Sequence, residues 1–249
     1  MKKVPVTFCL ISAILWFHPN LATAYSLVSG NVSGIWAASG SPYIVTANLT
    51  VPSGQVLTIQ PGVVVEIPAN TMFTVNGQVI AVGTSSQPIA FQPPLASSDY
   101  FSGLVLNYSG PTNIFKYCSF TQSTNPIQIS VNSATMQVQV SNCTFSNILT
   151  AAIYGAATGS WWWNGSASGY LNVNINNCIF LNCSNACVFA PYTVYGLSNG
   201  YPAYGPGYAT PVIQNCIFNQ LRGAALLLWT PSGNTAAWGS VPIFVNNTI

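Results

Sequence analysis

The sequence predicts an all-β solenoid of stacked parallel strands behind an export signal. Three observations carry this: short runs of Val, Ile, Phe and Tyr cut by Gly, Pro, Asn, Ser and Thr; a Cys-x-Phe frame that recurs along the chain; and a charged content of only 2% over 249 residues. Apolar runs of strand length between turn residues are a β signature, and helical periodicity is weak throughout. A recurring unit that cannot bury its apolar face alone must stack on its neighbours.

Residues 1–24 read as a secretory signal peptide: Lys2-Lys3, an apolar core from Val4 to Phe17, and Ala22-Thr-Ala24 as cleavage site. The core is shorter than the roughly 18 apolar residues that a membrane helix needs. Later apolar runs, such as Ala224 to Trp229, suit strands. Cleavage after Ala24 removes Lys2, Lys3, His18 and Cys9. Residues 25–249 then hold Lys116 and Arg222 against Glu66 and Asp99, six cysteines and no histidine. The expected location is secreted, extracellular or at the cell surface, with the periplasm as a further compartment and no membrane span after cleavage. Without a basic patch, nucleic acid is not an expected partner. Oligomeric state is not indicated.

From about 30 to 110 the chain alternates short strands with Pro-Gly, Ser-Gly and Asn-Gly turns: Ser41-Pro-Tyr-Ile-Val, Leu49-Thr-Val-Pro-Ser-Gly, Val56-Leu-Thr-Ile-Gln-Pro-Gly, Phe73-Thr-Val-Asn-Gly and Pro88-Ile-Ala-Phe. From about 111 to 249 a different repeat takes over. Cys118, Cys143, Cys178 and Cys216 open its copies. Phe120, Phe145, Phe180 and Phe218 follow two places later, and the amides Gln122, Asn147, Asn182 and Gln220 two places after those. Phe244-Val-Asn-Asn-Thr-Ile249 starts a fifth copy, with Asn247 in the cysteine place and Ile249 in the phenylalanine place. Stacking at about 4.8 Å turns such positions into ladders of rings, thiols and amides. The stretches Met136 to Val140 and Leu171 to Ile175 alternate apolar and amide residues, so their amides are expected to face outward. The chain stops inside a repeat, and a truncated C-terminus is expected.

The Leu-Thr-Ile-x-Pro-Gly-Val run at 57–63, the Val-x-Gly-x-x-x-Ala-x-Gly-Thr run at 75–84, Pro-Ile-x-Phe at 88–91 and the Asn-Cys-x-Phe copies resemble right-handed parallel β-helix proteins of the pectate-lyase-like superfamily. The resemblance implies one right-handed single-stranded parallel β-helix over 25–249. It says little about function, because that architecture serves lyases, hydrolases, adhesins and stalks alike.

Catalysis has little to work with. Glycoside cleavage needs paired carboxylates, and Glu66 and Asp99 fall in different repeats, Glu66 on an alternating strand where a solvated outward position is expected. Triads fail for want of histidine in 25–249. Four cysteines spread along a ladder do not converge as zinc ligands, so neither metal nor cofactor is expected. The cysteine ladder reads as core packing, with inter-coil disulfides as an alternative; Cys183 and Cys187, off the ladder, form a candidate local disulfide.

The functional signal is aromatic. Extra residues enter the later copies at one recurring place: Gly155 to Tyr170 with Trp161, Trp162 and Trp163; Ala190 to Tyr208 with Tyr192, Tyr195, Tyr201, Tyr204 and Tyr208; then Trp229 to Trp238. Inserts at one register of a stack project from one edge. Rings among neutral polar residues suit polysaccharide or surface-glycan contact, while the alternative is that the inserts fold back as packing. The expected function is a non-enzymatic secreted or surface β-helix that binds glycan or surfaces through this edge. The alternatives are a polysaccharide lyase or glycoside hydrolase with its acids outside this stretch, and a structural stalk.

Overall fold

Strand pairing in the computed structural model organises the chain into three parallel rows. The structure describes residues 25–107, 112–162, 165–191, 194–198, 201–228 and 240–249. The signal-peptide expectation for 1–24 lies outside them. Row one contains the start of Tyr43–Val51, then Val64–Glu66, Ile89–Gln92, Cys118–Ser123, the first parts of Thr144–Thr158 and Ile179–Pro191, and Ile217–Asn219. Row two contains the end of Tyr43–Val51, Phe73–Val75, Leu104–Leu106, Ile127–Asn132, the second parts of the two long strands, and Leu226–Leu228. Row three contains Gly34–Trp36, Val56–Ile59, Gln78–Val82, Asn113–Lys116, Thr135–Ser141, Gly169–Asn176, Val212–Gln214 and Ile243–Val245. The chain visits the rows in that order and returns one strand further along each time. The protein is therefore all-β with long parallel sheets, a path compatible with a β-helix, and the described residues hold one short 3-10 turn, Ala38–Gly40.

Alternation decides which side chains go inside. Thr135–Ser141 and Gly169–Asn176 bury every second residue: Met136, Val138 and Val140 in one, Leu171, Val173 and Ile175 in the other. Parallel register then places like on like. Phe91, Phe120, Phe145, Phe180 and Phe218 stack in one column, with centroids 4.8, 5.0, 5.0 and 5.0 Å apart and ring planes within 7° of parallel. Phe244 closes the column from row three at 5.6 Å and 24°. Each such contact adds about 0.5–1.5 kcal/mol beyond the burial of the rings.

The sequence motif owes its shape to the corners. Between rows three and one the residue before each cysteine has positive φ: Tyr117 at 50°, Asn142 at 53°, Asn177 at 52° and Asn215 at 57°, with Asn246 at 54° in the fifth copy. Left-handed backbone turns the chain from one face to the next, and Asn tolerates it best after Gly. The amide column Gln122, Asn147, Asn182 and Gln220, with φ of 60°, 55°, 52° and 55°, makes the same turn between rows one and two. Its side chains form a ladder only in part. Asn182 donates through Nδ2 to Asn147 Oδ1 at 2.6 Å, whereas Gln122 Nε2 donates to the Asp99 carbonyl at 3.0 Å.

The cysteine column fills the inner angle of the first corner. Cys118, Cys143, Cys178 and Cys216 are buried free thiols, each aimed at the carbonyl two residues back. Cys118 N–H donates to Cys143 Sγ and Cys178 N–H to Cys216 Sγ, both at 3.4 Å. Cys183 and Cys187 depart from the local disulfide expected of them. Both are buried free thiols on different rows: Cys183 sits on the row-one part of Ile179–Pro191, in register with Ile148, and Cys187 on its row-two part, in register with Ile153.

Candidate functional site

Two inserts leave the rows at one place, between rows two and three. Ser160–Trp162 pairs antiparallel with Gly165–Ala167, and Val194–Ser198 with Tyr201–Gly205, and the two hairpins lie against each other. Their return points are in register at Gly169 and Gly207. A Cβ at either would run into backbone, the Thr158 carbonyl for Gly169 and the Ala157 carbonyl for Gly207. Glycine is thus required where each hairpin rejoins the sheet.

Among the predicted aromatics, Trp161 and Trp162 fall on the first hairpin and Tyr195, Tyr201 and Tyr204 on the second, where Tyr195 and Tyr204 are backbone partners. Trp163, Tyr192, Trp229 and Trp238 lie outside the described residues. Tyr170 and Tyr208 belong to row three itself, one strand apart and directly in register. Their rings stack at 5.0 Å and 14°, so the facing surfaces cover each other. What they offer outward is ring edges, phenolic hydroxyls and the end faces of the pair.

Beside this pair the outer face of row three forms an amide grid. Register puts Thr112, Gln137, Asn172 and Thr210 in one column, and Ile114, Gln139, Asn174 and Val212 in the next. An open groove of about 340 Å³ runs over them, lined by Gln137, Gln139, Asn172, Asn174, Thr210 and Val212 together with Val138 and Val173. Two of the amides have committed oxygens. Thr112 Oγ1 donates to Gln137 Oε1 at 3.2 Å, and Thr210 Oγ1 donates to Asn172 Oδ1 at 2.6 Å. Gln139 and Asn174 are exposed and carry no side-chain hydrogen bond among the described residues. The period-2 alternation predicted that these amides face out. What the sequence concealed was their alignment, which depends on how many residues the inserts consume between strands.

The ionisable groups lie elsewhere. Lys116 borders the grid with its Nζ 5.6 Å from the centroid of the Tyr117 ring. Asp99 is exposed in the loop before Phe101. Glu66 departs from the solvated position expected of it: its side chain is only 8% exposed. Among the described residues no group of three His, Cys, Asp or Glu is placed to hold a metal ion.

Five of the thiols are shifted upward from the ordinary cysteine value. Burial pushes Cys183 up to about 11 and raises Cys143 and Cys187 as well. For Cys178 the neighbouring Cys143 thiol raises the value most, and for Cys216 the Cys178 thiol does so, with burial adding to both. Such groups pack and donate weak hydrogen bonds but do not attack.

No protein-family model, curated protein or solved structure matches the chain. No helix among the described residues is long and apolar enough to cross a membrane.

Proposed function

We propose that the chain is a right-handed parallel β-helix that works outside the cytoplasm by binding, and that the outer face of row three holds a neutral, hydroxyl-rich polysaccharide. The observation that carries this reading is the groove over Gln137, Gln139, Asn172, Asn174 and Thr210. Its polar walls are uncharged amides and a hydroxyl, matched to a ligand that both donates and accepts hydrogen bonds without charge. Tyr170 and Tyr208 bound one end, and the aromatic hairpins leave the sheet on that side. A role in holding is favoured over one in cleavage because neither Glu66 nor Asp99 lines this groove.

The test is calorimetric titration with soluble neutral oligosaccharides, alongside a product assay for chain cleavage. Gln139→Ala with Asn174→Ala removes two hydrogen-bonding groups of about 1 kcal/mol each, and the affinity falls by roughly tenfold or more. Unchanged affinity in the double variant refutes the site, and release of shortened products refutes the non-catalytic reading.

A further inference from the structure

The outer face of row one and the corner between rows one and two form a second surface, away from the groove on row three. The corner column runs Gln122, Asn147, Asn182 and Gln220, one residue per coil. Its two ends carry opposite charge. At one end the Asp99 carbonyl accepts from Gln122 Nε2, and the Asp99 side chain is exposed. At the other end exposed Arg222 donates to Asn182 Oδ1 at 3.4 Å and keeps further N–H groups available. Neither Asp99 nor Arg222 forms an ion pair among the described residues. Pairing from Phe101 through Ser123, Ile148 and Cys183 to Arg222 sets the two ends four coil spacings apart, about 19 Å.

Apolar side chains are exposed along the same surface. Leu149 lies on the middle coil, two residues past Asn147; Leu95 lies in the loop at the Asp99 end, and Ile179, Leu181 and Ile217 towards the Arg222 end. Between them the outer positions of row one are hydroxyls, with Thr121 Oγ1 and Ser146 Oγ 3.1 Å apart. A second copy turned end for end, about a twofold axis across the middle coil, matches this pattern. Every column then meets itself reversed: Asp99 of each copy faces Arg222 of the other, and Leu149 meets Leu149. Such self-complementarity is what an isologous interface requires. A different protein would have to bring a cation and an anion at the same separation and in the reverse order, which a second copy does by symmetry. Residues 25–249 hold two cations and two carboxylates, so no net charge opposes association. We infer that the protein forms a twofold antiparallel dimer through row one and this corner, with two Asp99–Arg222 pairs across the interface fixing its register.

The experiment is sedimentation velocity of the intact protein over a concentration series. The wild type sediments as a dimer at about 100 μM, and its dissociation constant rises with salt. Asp99→Arg and Arg222→Asp each set like charges against each other and weaken the dimer by roughly tenfold or more. Mixed in equal amounts, the two variants associate again with wild-type affinity, because each supplies the charge that the other has reversed. A defect confined to one copy is not repaired by mixing. Leu149→Arg brings two like charges together at the axis and also dissociates the dimer, and it serves if the Arg222 variant does not fold. A wild type that is monomeric throughout the series, a dimer indifferent to these substitutions, or folded charge variants that fail to associate when mixed each overturn the inference. The polysaccharide site on row three stands or falls separately.

Discussion

Asn247 does for Cys216 what Cys216 does for Cys178. Asn247 Oδ1 accepts from Cys216 N–H at 2.8 Å, and Cys216 Sγ accepts from Cys178 N–H at 3.4 Å. Asn247 Nδ2 in turn donates to the Ile213 carbonyl at 3.0 Å, as the thiols above it do to the equivalent carbonyls of their own neighbours. A primary amide thus replaces a thiol in a column of thiols, keeping both bonds. Asn247→Ala leaves the Cys216 amide without its acceptor and costs about 1–2 kcal/mol. Hydrogen exchange at the Cys216 amide reads this directly: protection falls in Asn247→Ala and returns in Asn247→Cys.

The phenylalanine column sets the cost of interrupting the core. Phe145 is fully buried with a parallel ring on either side, Phe120 and Phe180, each at 5.0 Å. Phe145→Ala removes both stacking contacts and leaves a cavity, a loss of about 3–5 kcal/mol. Urea denaturation should show it, with Phe145→Leu closer to wild type. Equal stability of the Ala variant and wild type would mean that the column is not continuous in solution.

The corners supply a backbone test. Tyr117 is the bulky member of a left-handed row otherwise made of Asn. Left-handed backbone costs an ordinary residue about 1–2 kcal/mol. Tyr117→Asn is therefore stabilising, and Asn142→Val destabilising, in thermal unfolding. Reversal of either sign would contradict the corner assignment.

The thiols give the chain an alkaline limit. A thiol whose folded-state value lies above its unfolded one stabilises the fold fully below the unfolded value, and that contribution is lost as pH rises through the folded value. For Cys183 the window runs from the ordinary 9.0 to about 11. Cys143, Cys178, Cys187 and Cys216 shift in the same direction and extend it upward. Stability to urea should be level below pH 9 and fall above it, with a shallower fall in Cys183→Ala. Identical slopes in the two proteins between pH 9 and 11 would remove Cys183 from this account.

Much of the fold could be read in advance because parallel stacking repeats chemistry at a fixed register. The Cys-x-Phe frame predicted the ring and thiol columns, and Asn247 was correctly placed in the cysteine position. The asparagines before the cysteines were visible too, but a sequence does not display φ, and their role at the corners emerged only with the backbone. Cys183 and Cys187 misled because four-residue spacing suggests a local loop, whereas the two fall on different rows of one strand and pack there as separate free thiols. The face of row three was half legible. Alternation showed that Gln137, Gln139, Asn172 and Asn174 point outward, but their alignment depends on long-range pairing across the hairpins.

The seam between rows two and three separates two demands that most folds must satisfy together. Strand register is held by Ala157 and Pro191 on one side and by Gly169 and Gly207 on the other, whatever the chain does in between. Substitution and length change between those anchors act on what is displayed and leave the columns of the core in place. The scaffold can therefore acquire new surface chemistry by insertion, at positions already aimed beside the amide face, with no need to redesign a single coil.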